Sequence, residues 1–333
     1  MLKKNILFFF LILFLSNYHL VFSQSYEEIF SKYEKLEANN PKALPFIRQY
    51  INKAKKEKNY SQLIQGYLDE GVYNPDNTLK LKYADSAIIS AKISGNASLI
   101  VKSYMMKGSL YYFYKRKYKL ALSNYVKAYQ YSKKADDNYY RHSIIYHIGV
   151  VKSYLGYYSE ALNQFNECIS YFEPFTKSKT LHPDLIYNNT KGYLNSLHQA
   201  IICYRNLGFY NKSDSLIKAG LRAAKNSKDY NLERAYFFKC RGILGYHYKN
   251  YNHTIADLNS ALPEIIKNED FAWVAASYFY KGKSYLALGN KKKAIDNFIK
   301  VDSIFKKEKF ILPELRENFE ILINDAKKRK DAQ

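Results

Sequence analysis

The sequence predicts an all-α chain built as a row of about seven antiparallel helical hairpins. Three observations carry this reading. Only seven prolines and 13 glycines occur in 333 residues, so few points interrupt a helix. One pattern of small and large apolar residues recurs, with reference residues Ser109, Gly149, Ile201, Gly242 and Gly282 set 40, 52, 41 and 40 apart. Within each unit the apolar positions fall three and four residues apart, the spacing of a helix face rather than of a strand. A fixed period of this length is the mark of stacked supersecondary units.

Residues 1–23 read as a secretory signal peptide. Lys3 and Lys4 give a positive start, Ile6 to Leu15 is an unbroken apolar run, and Val21-Phe22-Ser23 precedes Gln24 at the cleavage spacing. A run of ten apolar residues is too short to span a bilayer. The expected location is therefore periplasmic or secreted, with an uncleaved anchor as the alternative. Membrane association is expected only in that case, or if the chain is part of a longer protein.

The array is expected over residues 24–310. Ile47, Ile51 and Ala54 mark one second helix of a hairpin, and Ala84, Ile88 and Ala91 mark the next. Five fuller units follow. The first holds Met105, Ser109 and Tyr112, then Ala121, Tyr125 and Ala128. The second holds Ile145, Gly149 and Gly156, then Ala161, Phe165 and Cys168. The long step after it contains a loop, Glu173 to His182, read as one insertion at 173–182. The third holds Leu197, Ile201, Tyr204 and Gly208, then Ser213, Ile217 and Gly220. The fourth holds Phe238 and Gly242, then Thr254, Leu258 and Ala261. The fifth, residues 277–301, reads SYFYKGKSYLALGNKKKAIDNFIKV, with Tyr278, Gly282 and Tyr285 before Gly289, then Ala294, Phe298 and Val301. Each small residue gives room to the other helix of its hairpin. A hairpin cannot bury both apolar stripes alone, and stacking the hairpins does. Finally Leu312, Leu315, Phe319, Leu322 and Ala326 predict one more helix entered at Pro313, within a C-terminal segment 311–333. It is expected to cap the array, or to open a further repeat.

These residues resemble the tetratricopeptide repeat family over roughly residues 26–310. The family pattern is a bulky residue, a small one and Tyr on a first helix, then Ala, an aromatic and Ala on a second. The unit 278–301 matches it closely. Lys152 and Gly245 depart from it where an aromatic is expected, Ile201 replaces the small residue, and the step near 40 exceeds the usual value of about 34. The resemblance implies a right-handed α-solenoid. The Tyr- and Lys-rich units and the stretch VDSIFKKEKFILPELREN are also similar to exported sensor regions of bacterial membrane-anchored helix-turn-helix regulators and histidine kinases, here without an output domain.

Composition bounds the function. The formal charge is +22, and loss of Lys3 and Lys4 leaves 22 − 2 = +20. The lysines are scattered over helix faces, and export removes DNA from the expected surroundings, so no nucleic acid is expected as a partner of this chain. Cys168, Cys203 and Cys240 are too few and too odd in number for a disulfide framework and read as small buried hydrophobes. No phosphate loop, dinucleotide fingerprint or zinc-protease signature is present, and the histidines form no i,i+4 pair. Neither a catalytic residue nor a cofactor or metal site is expected, and an enzyme is unsupported.

In the resembled family the first helices line the concave face. Carried onto this sequence, that places Tyr146, Ser153, Tyr154, His198, Arg205, Asn206, Lys239, Tyr246, His247, Phe279 and Lys283 on or near it. Aromatics mixed with Arg205, Lys239 and Lys283 suit a protein or peptide that carries carboxylates. The expected function is a non-catalytic exported scaffold. The alternative is the ectodomain of a signalling regulator whose ligand alters curvature or self-association.

Overall fold

A computed structural model describes residues 24–225 and 227–330. The signal-like segment 1–23 lies outside them. The described residues form 15 α-helices and no strand, and they divide into two compact units at Ala135–Asp136.

In the first unit α1 (Tyr26–Phe30) and α2 (Leu44–Lys56) form one hairpin, α3 (Tyr60–Tyr73) and α4 (Asn77–Ser94) the next, and α5 (Ala97–Phe113) and α6 (Tyr118–Ser132) the third. The starts follow from capping chemistry. Ser25 and Glu28 form a reciprocal capping box, and the Asp76 carboxylate accepts from the amides of Thr78 and Leu79. The apolar stripe read from the sequence, Ile47, Ile51, Ala54, Ala84, Ile88 and Ala91, is buried. The Tyr33 hydroxyl donates to Asp69 at 2.6 Å, and the buried Lys80 ammonium donates to Asn39 Oδ1 at 2.6 Å and to the Val72 carbonyl.

The second unit holds four hairpins: α7 (Asn138–Tyr154) with α8 (Tyr158–Phe172), α9 (Pro183–Asn206) with α10 (Tyr210–Ala223), α11 (Asn231–His247) with α12 (Tyr251–Lys267), and α13 (Phe271–Ala287) with α14 (Lys291–Glu308). A last helix, α15 (Glu317–Lys330), follows. First helices pack against first helices: α9 touches both α7 and α11, and α11 touches α13. The 52-residue step is shared between two causes. Residues Glu173–Lys177 form a turn of 3₁₀ helix, and α9 itself runs to 24 residues where α7, α11 and α13 have 17.

The opening pattern has a direct spatial meaning. Phe298 is fully buried, and a Cβ placed on Gly282 would meet its ring at 2.5 Å. Gly149 faces Phe165 and Gly242 faces Leu258 in the same way. In the unit around Ser109 the sequence register is one residue off. Gly108 abuts the Tyr125 ring, and the Ser109 hydroxyl instead shares a hydrogen bond with the Tyr125 hydroxyl at 3.1 Å.

The corner of each hairpin repeats as well. Seven residues past each reference position the backbone enters the left-handed region: Arg116 (φ 50°), Gly156 (85°), Gly208 (79°), Lys249 (60°) and Gly289 (78°). At Gly289 the turn closes through its amide to the Leu286 carbonyl at 3.0 Å and the Asn290 amide to the Tyr285 carbonyl at 2.8 Å.

Candidate functional site

The first helices of the second unit carry most of its buried polar side chains. The row one residue past each leading bulky position is Tyr146, His198, Lys239 and Phe279. The sequence reading put this row on the concave surface, and the structure corrects that for three of the four: His198 and Lys239 are buried between neighbouring first helices, Phe279 is buried in the apolar core, and Tyr146 is half-buried. The reason is the close approach of α9, α11 and α13. Phe279 belongs to the apolar core, its ring 6.1 Å from that of Phe298. The Lys239 ammonium is 0% exposed, donates to His198 Nε2 at 2.7 Å, and sits 3.5 Å from the centre of the Trp273 ring. His198 in turn stacks on Tyr236 with centroids 4.5 Å apart, and the Tyr236 hydroxyl donates to Asp270 at 2.8 Å.

Burial sets the ionisation of this floor. It holds the His198 imidazole well below its ordinary range, with the Lys239 and Arg205 charges adding to the effect. Accepting a hydrogen bond from the lysine at Nε2 fits a neutral ring. Burial also lowers Lys239 to about 8 and raises the Asp270 carboxyl despite the Tyr236 hydrogen bond. Lys239 therefore remains a cation at neutral pH, steadied by the faces of Trp273 and Tyr236 rather than by a direct carboxylate contact.

The row eight and nine residues past the leading positions forms the rim. Arg205 is 6% exposed, Tyr246 is half-buried, and Asn206 and His247 are exposed. His247 stacks on Tyr210, with centroids 5.1 Å apart. Between rim and floor lies a cleft of about 270 Å³, lined by Ser153, Tyr154, Leu155, Gly156, Tyr158, Gln199, Ile202, Asn206, Trp273, Leu312, Pro313 and Glu314. Three predicted residues, Ser153, Tyr154 and Asn206, thus meet in one cleft. Arg205 reaches its wall through Glu314, while Lys239 and His198 support it from behind Trp273.

Sequence reasoning missed Gln199, Trp273 and the C-terminal residues. Trp273 precedes its leading residue Tyr278 by five positions, outside the family's concave-face register. Its one sequence signal was being the single tryptophan of the chain. The C-terminal segment follows a path no periodicity announced. Leu312 is extended, Pro313–Leu315 is a 3₁₀ turn, and α15 begins only at Glu317, so the helix predicted from Pro313 starts later than expected. Leu312 and Leu315 enter the same core cluster as Ile202, Trp273 and Phe279. Glu314 meets Arg205 at 3.4 Å, and Glu317 meets Lys283 at 2.6 Å. Farther along, Asp325 meets Lys291 at 2.9 Å, and Asn318 donates to the Phe298 carbonyl.

The three cysteines are free and buried, at 0%, 0% and 1% exposure, as read from the sequence. Burial pushes the Cys168 thiol up to about 12 and the Cys203 thiol up to about 11. Among the described residues no cluster of three or more His, Cys, Asp or Glu is placed to hold a metal ion, and no helix is long and apolar enough to cross a membrane.

The order of helices and their pairing can be set beside known proteins. No family model and no curated protein matches the chain. Solved structures do. The Rap conjugation gene regulator of plasmid pLS20, in complex with the Phr* peptide, aligns at 13% identity over 80% of this chain and 76% of that one, with a TM-score of 0.56. A Rap protein complexed with competence and sporulation factor aligns at 16% identity, over 81% and 71%, with a TM-score of 0.52. BtubC from P. vanneervenii aligns at 12% identity, over 70% and 92%, with a TM-score of 0.51. The fold is a tetratricopeptide-like helical repeat. At these identities the likeness is one of fold.

Proposed function

We propose that this chain is a non-catalytic, exported scaffold that binds acidic peptide segments on the first-helix face of its second unit. One observation carries the reading: two cations, Arg205 and Lys239, lie buried under that face next to a cleft walled by tyrosines, Trp273 and side-chain amides. Burying a cation is costly unless something negative answers it. Arg205 is answered only at 3.4 Å, by Glu314, and Lys239 donates to His198 rather than to a carboxylate. A carboxylate that takes the place of Glu314 at the cleft wall meets the Arg205 guanidinium, and it feels the Lys239 charge through its field. Two neighbours of the same fold are complexes, one with the Phr* peptide and one with competence and sporulation factor, which supports peptide binding as the use of such a face. Export rests on the signal-like residues 1–23 and is tested by the mass of the mature N-terminus, expected at Gln24.

A second reading, a sensing ectodomain of a regulator, is favoured by one specific feature. The C-terminal segment is tied to the same face, so a ligand there has a mechanical route to α15.

The binding reading is tested with synthetic peptides of matched length bearing acidic, neutral or basic side chains. Residues 24–333 should prefer the acidic set, with affinity falling as salt rises. Arg205→Ala should abolish the preference while helicity by circular dichroism stays intact. Equal binding of all three sets, or a preference that survives Arg205→Ala, overturns it.

A further inference from the structure

We propose that residues 312–317, Leu-Pro-Glu-Leu-Arg-Glu, are a built-in occupant of the groove, and that they define the partner: a peptide presenting an aliphatic side chain, a carboxylate two residues later, and a second carboxylate three residues after that. The inference rests on the peptide-binding reading and sharpens it to a partner class.

Four observations meet at this segment. First, it lies against side chains of α9 and α13 with a backbone like that of a bound peptide. Its initial residues are extended and 3₁₀ rather than α-helical, and they line the cleft beside Trp273 and Asn206. Second, its apolar side chains are anchors. Leu312 is 7% exposed and Leu315 is fully buried, both within the core cluster that contains Phe279. Third, its acidic side chains answer the groove's cations in register, Glu314 to Arg205 and Glu317 to Lys283. The Arg205–Glu314 contact joins residues 109 apart in sequence, so no local helix geometry imposes it. Fourth, the pairing at Arg205 is loose. Both contacts come from one guanidinium nitrogen, at 3.4 and 3.5 Å to the two Glu314 oxygens, against about 2.7–2.9 Å for a well-formed charge-assisted bond. Glu314 is still 27% exposed at its side chain. A contact of this quality holds the segment in place without making it the best available partner for the cation.

The consequence is competition. An incoming peptide must take the positions of Leu312, Glu314 and Glu317, so its apparent affinity is lowered by the fraction of time the segment occupies the groove. Weakening the segment should then strengthen the partner. Its departure leaves Arg205 and Lys283 without Glu314 and Glu317, and at the buried Arg205 a ligand carboxylate restores the lost charge pairing.

The test uses residues 24–333 and a fluorescent peptide with the sequence of residues 310–320. The Glu314→Gln/Glu317→Gln chain should bind this peptide about ten- to a hundredfold more tightly than the parent chain. The gain should vanish for a peptide carrying glutamine at both acidic positions, and when Arg205→Ala is added to the chain. Circular dichroism and hydrogen exchange of α13 and α14 confirm that each variant is folded. Equal affinity for parent and variant, or no binding to the folded variant, overturns the proposal. If unrelated acidic peptides still bind the parent in an Arg205-dependent way, the groove stands and the built-in occupant fails. If no peptide binds in that way, both readings fail together.

Discussion

Replacing Gly282 by alanine tests the packing logic of the whole array at one atom. The added methyl carbon would lie 2.5 Å from Phe298 Cε1, 2.8 Å from Cδ1 and 3.0 Å from Cζ. Carbon pairs rest at about 3.5–4.0 Å, so the overlap is about 1 Å. The ring has nowhere to swing, because Phe298 is fully buried, and α13 and α14 must part instead. Overpacking of this kind costs on the order of 1–3 kcal/mol. Alanine's better helix propensity returns about 1 kcal/mol. The net expectation is a loss of about 1 kcal/mol for Gly282→Ala, and more for leucine. Urea unfolding followed by circular dichroism measures it, with hydrogen exchange in α13 and α14 as a local probe, since repeat arrays can open unit by unit. Shrinking the opposing ring should relieve the overlap. The double variant Gly282→Ala/Phe298→Leu should be more stable than the sum of its parts by about 1 kcal/mol. Gly289→Ala is the control: no atom lies within 4 Å of its Cβ position, its cost comes from the left-handed backbone, and Phe298→Leu should not rescue it. Alanine at 282 as stable as the parent, or strictly additive energies in the double variant, would refute the reasoning.

Two further predictions follow from the backbone and from the buried cations. Lys249→Gly should stabilise the second unit by about 0.5–1 kcal/mol, because the exposed Lys249 holds φ at 60° where its neighbours in register use glycine; an unchanged or lower urea midpoint would contradict this. Stability should rise with pH between about 8 and 10 and fall beyond. Over that range the unfolded chain keeps protons on Lys239 and Lys80 that the native chain, with both lowered to about 8 by burial, has lost. Above about 10 the order reverses, because buried tyrosines such as Tyr236 and Tyr33 keep protons that the unfolded chain releases. Lys239→Met should flatten the rise and weaken acidic-peptide binding, and a urea midpoint that falls steadily from pH 7 to 10 would count against the assignment.

Much of this architecture could be read before any coordinates, and the reason is local. A hairpin that must accept Phe298 needs Gly282 sixteen residues earlier, and both lie within one unit. The same holds for Phe165 with Gly149 and Leu258 with Gly242. The second helices marked by Ile47 and Ile88 were legible from their stripes alone, whereas α1, with five residues, offers almost no period to find. The floor of the groove was named but misplaced. Register relative to Leu197 and Phe238, carried over from the resembled family, put His198 and Lys239 on the concave surface; it does not say how closely neighbouring first helices approach, and closeness decides between surface and interior. The path of residues 310–316 was illegible for a deeper reason. Leu312, Leu315 and Phe319 announce one apolar face, and nothing in their spacing says which distant surface receives it.

The corners at Arg116 and Lys249 bend the backbone as the three glycines do, with side chains that ordinarily resist that bend. What holds them there is the helices on either side, already committed to lying together. Mutation can therefore erase the letter most typical of a corner and leave the corner standing. Over a long history, chains of this kind lose their common spelling well before they lose their common shape.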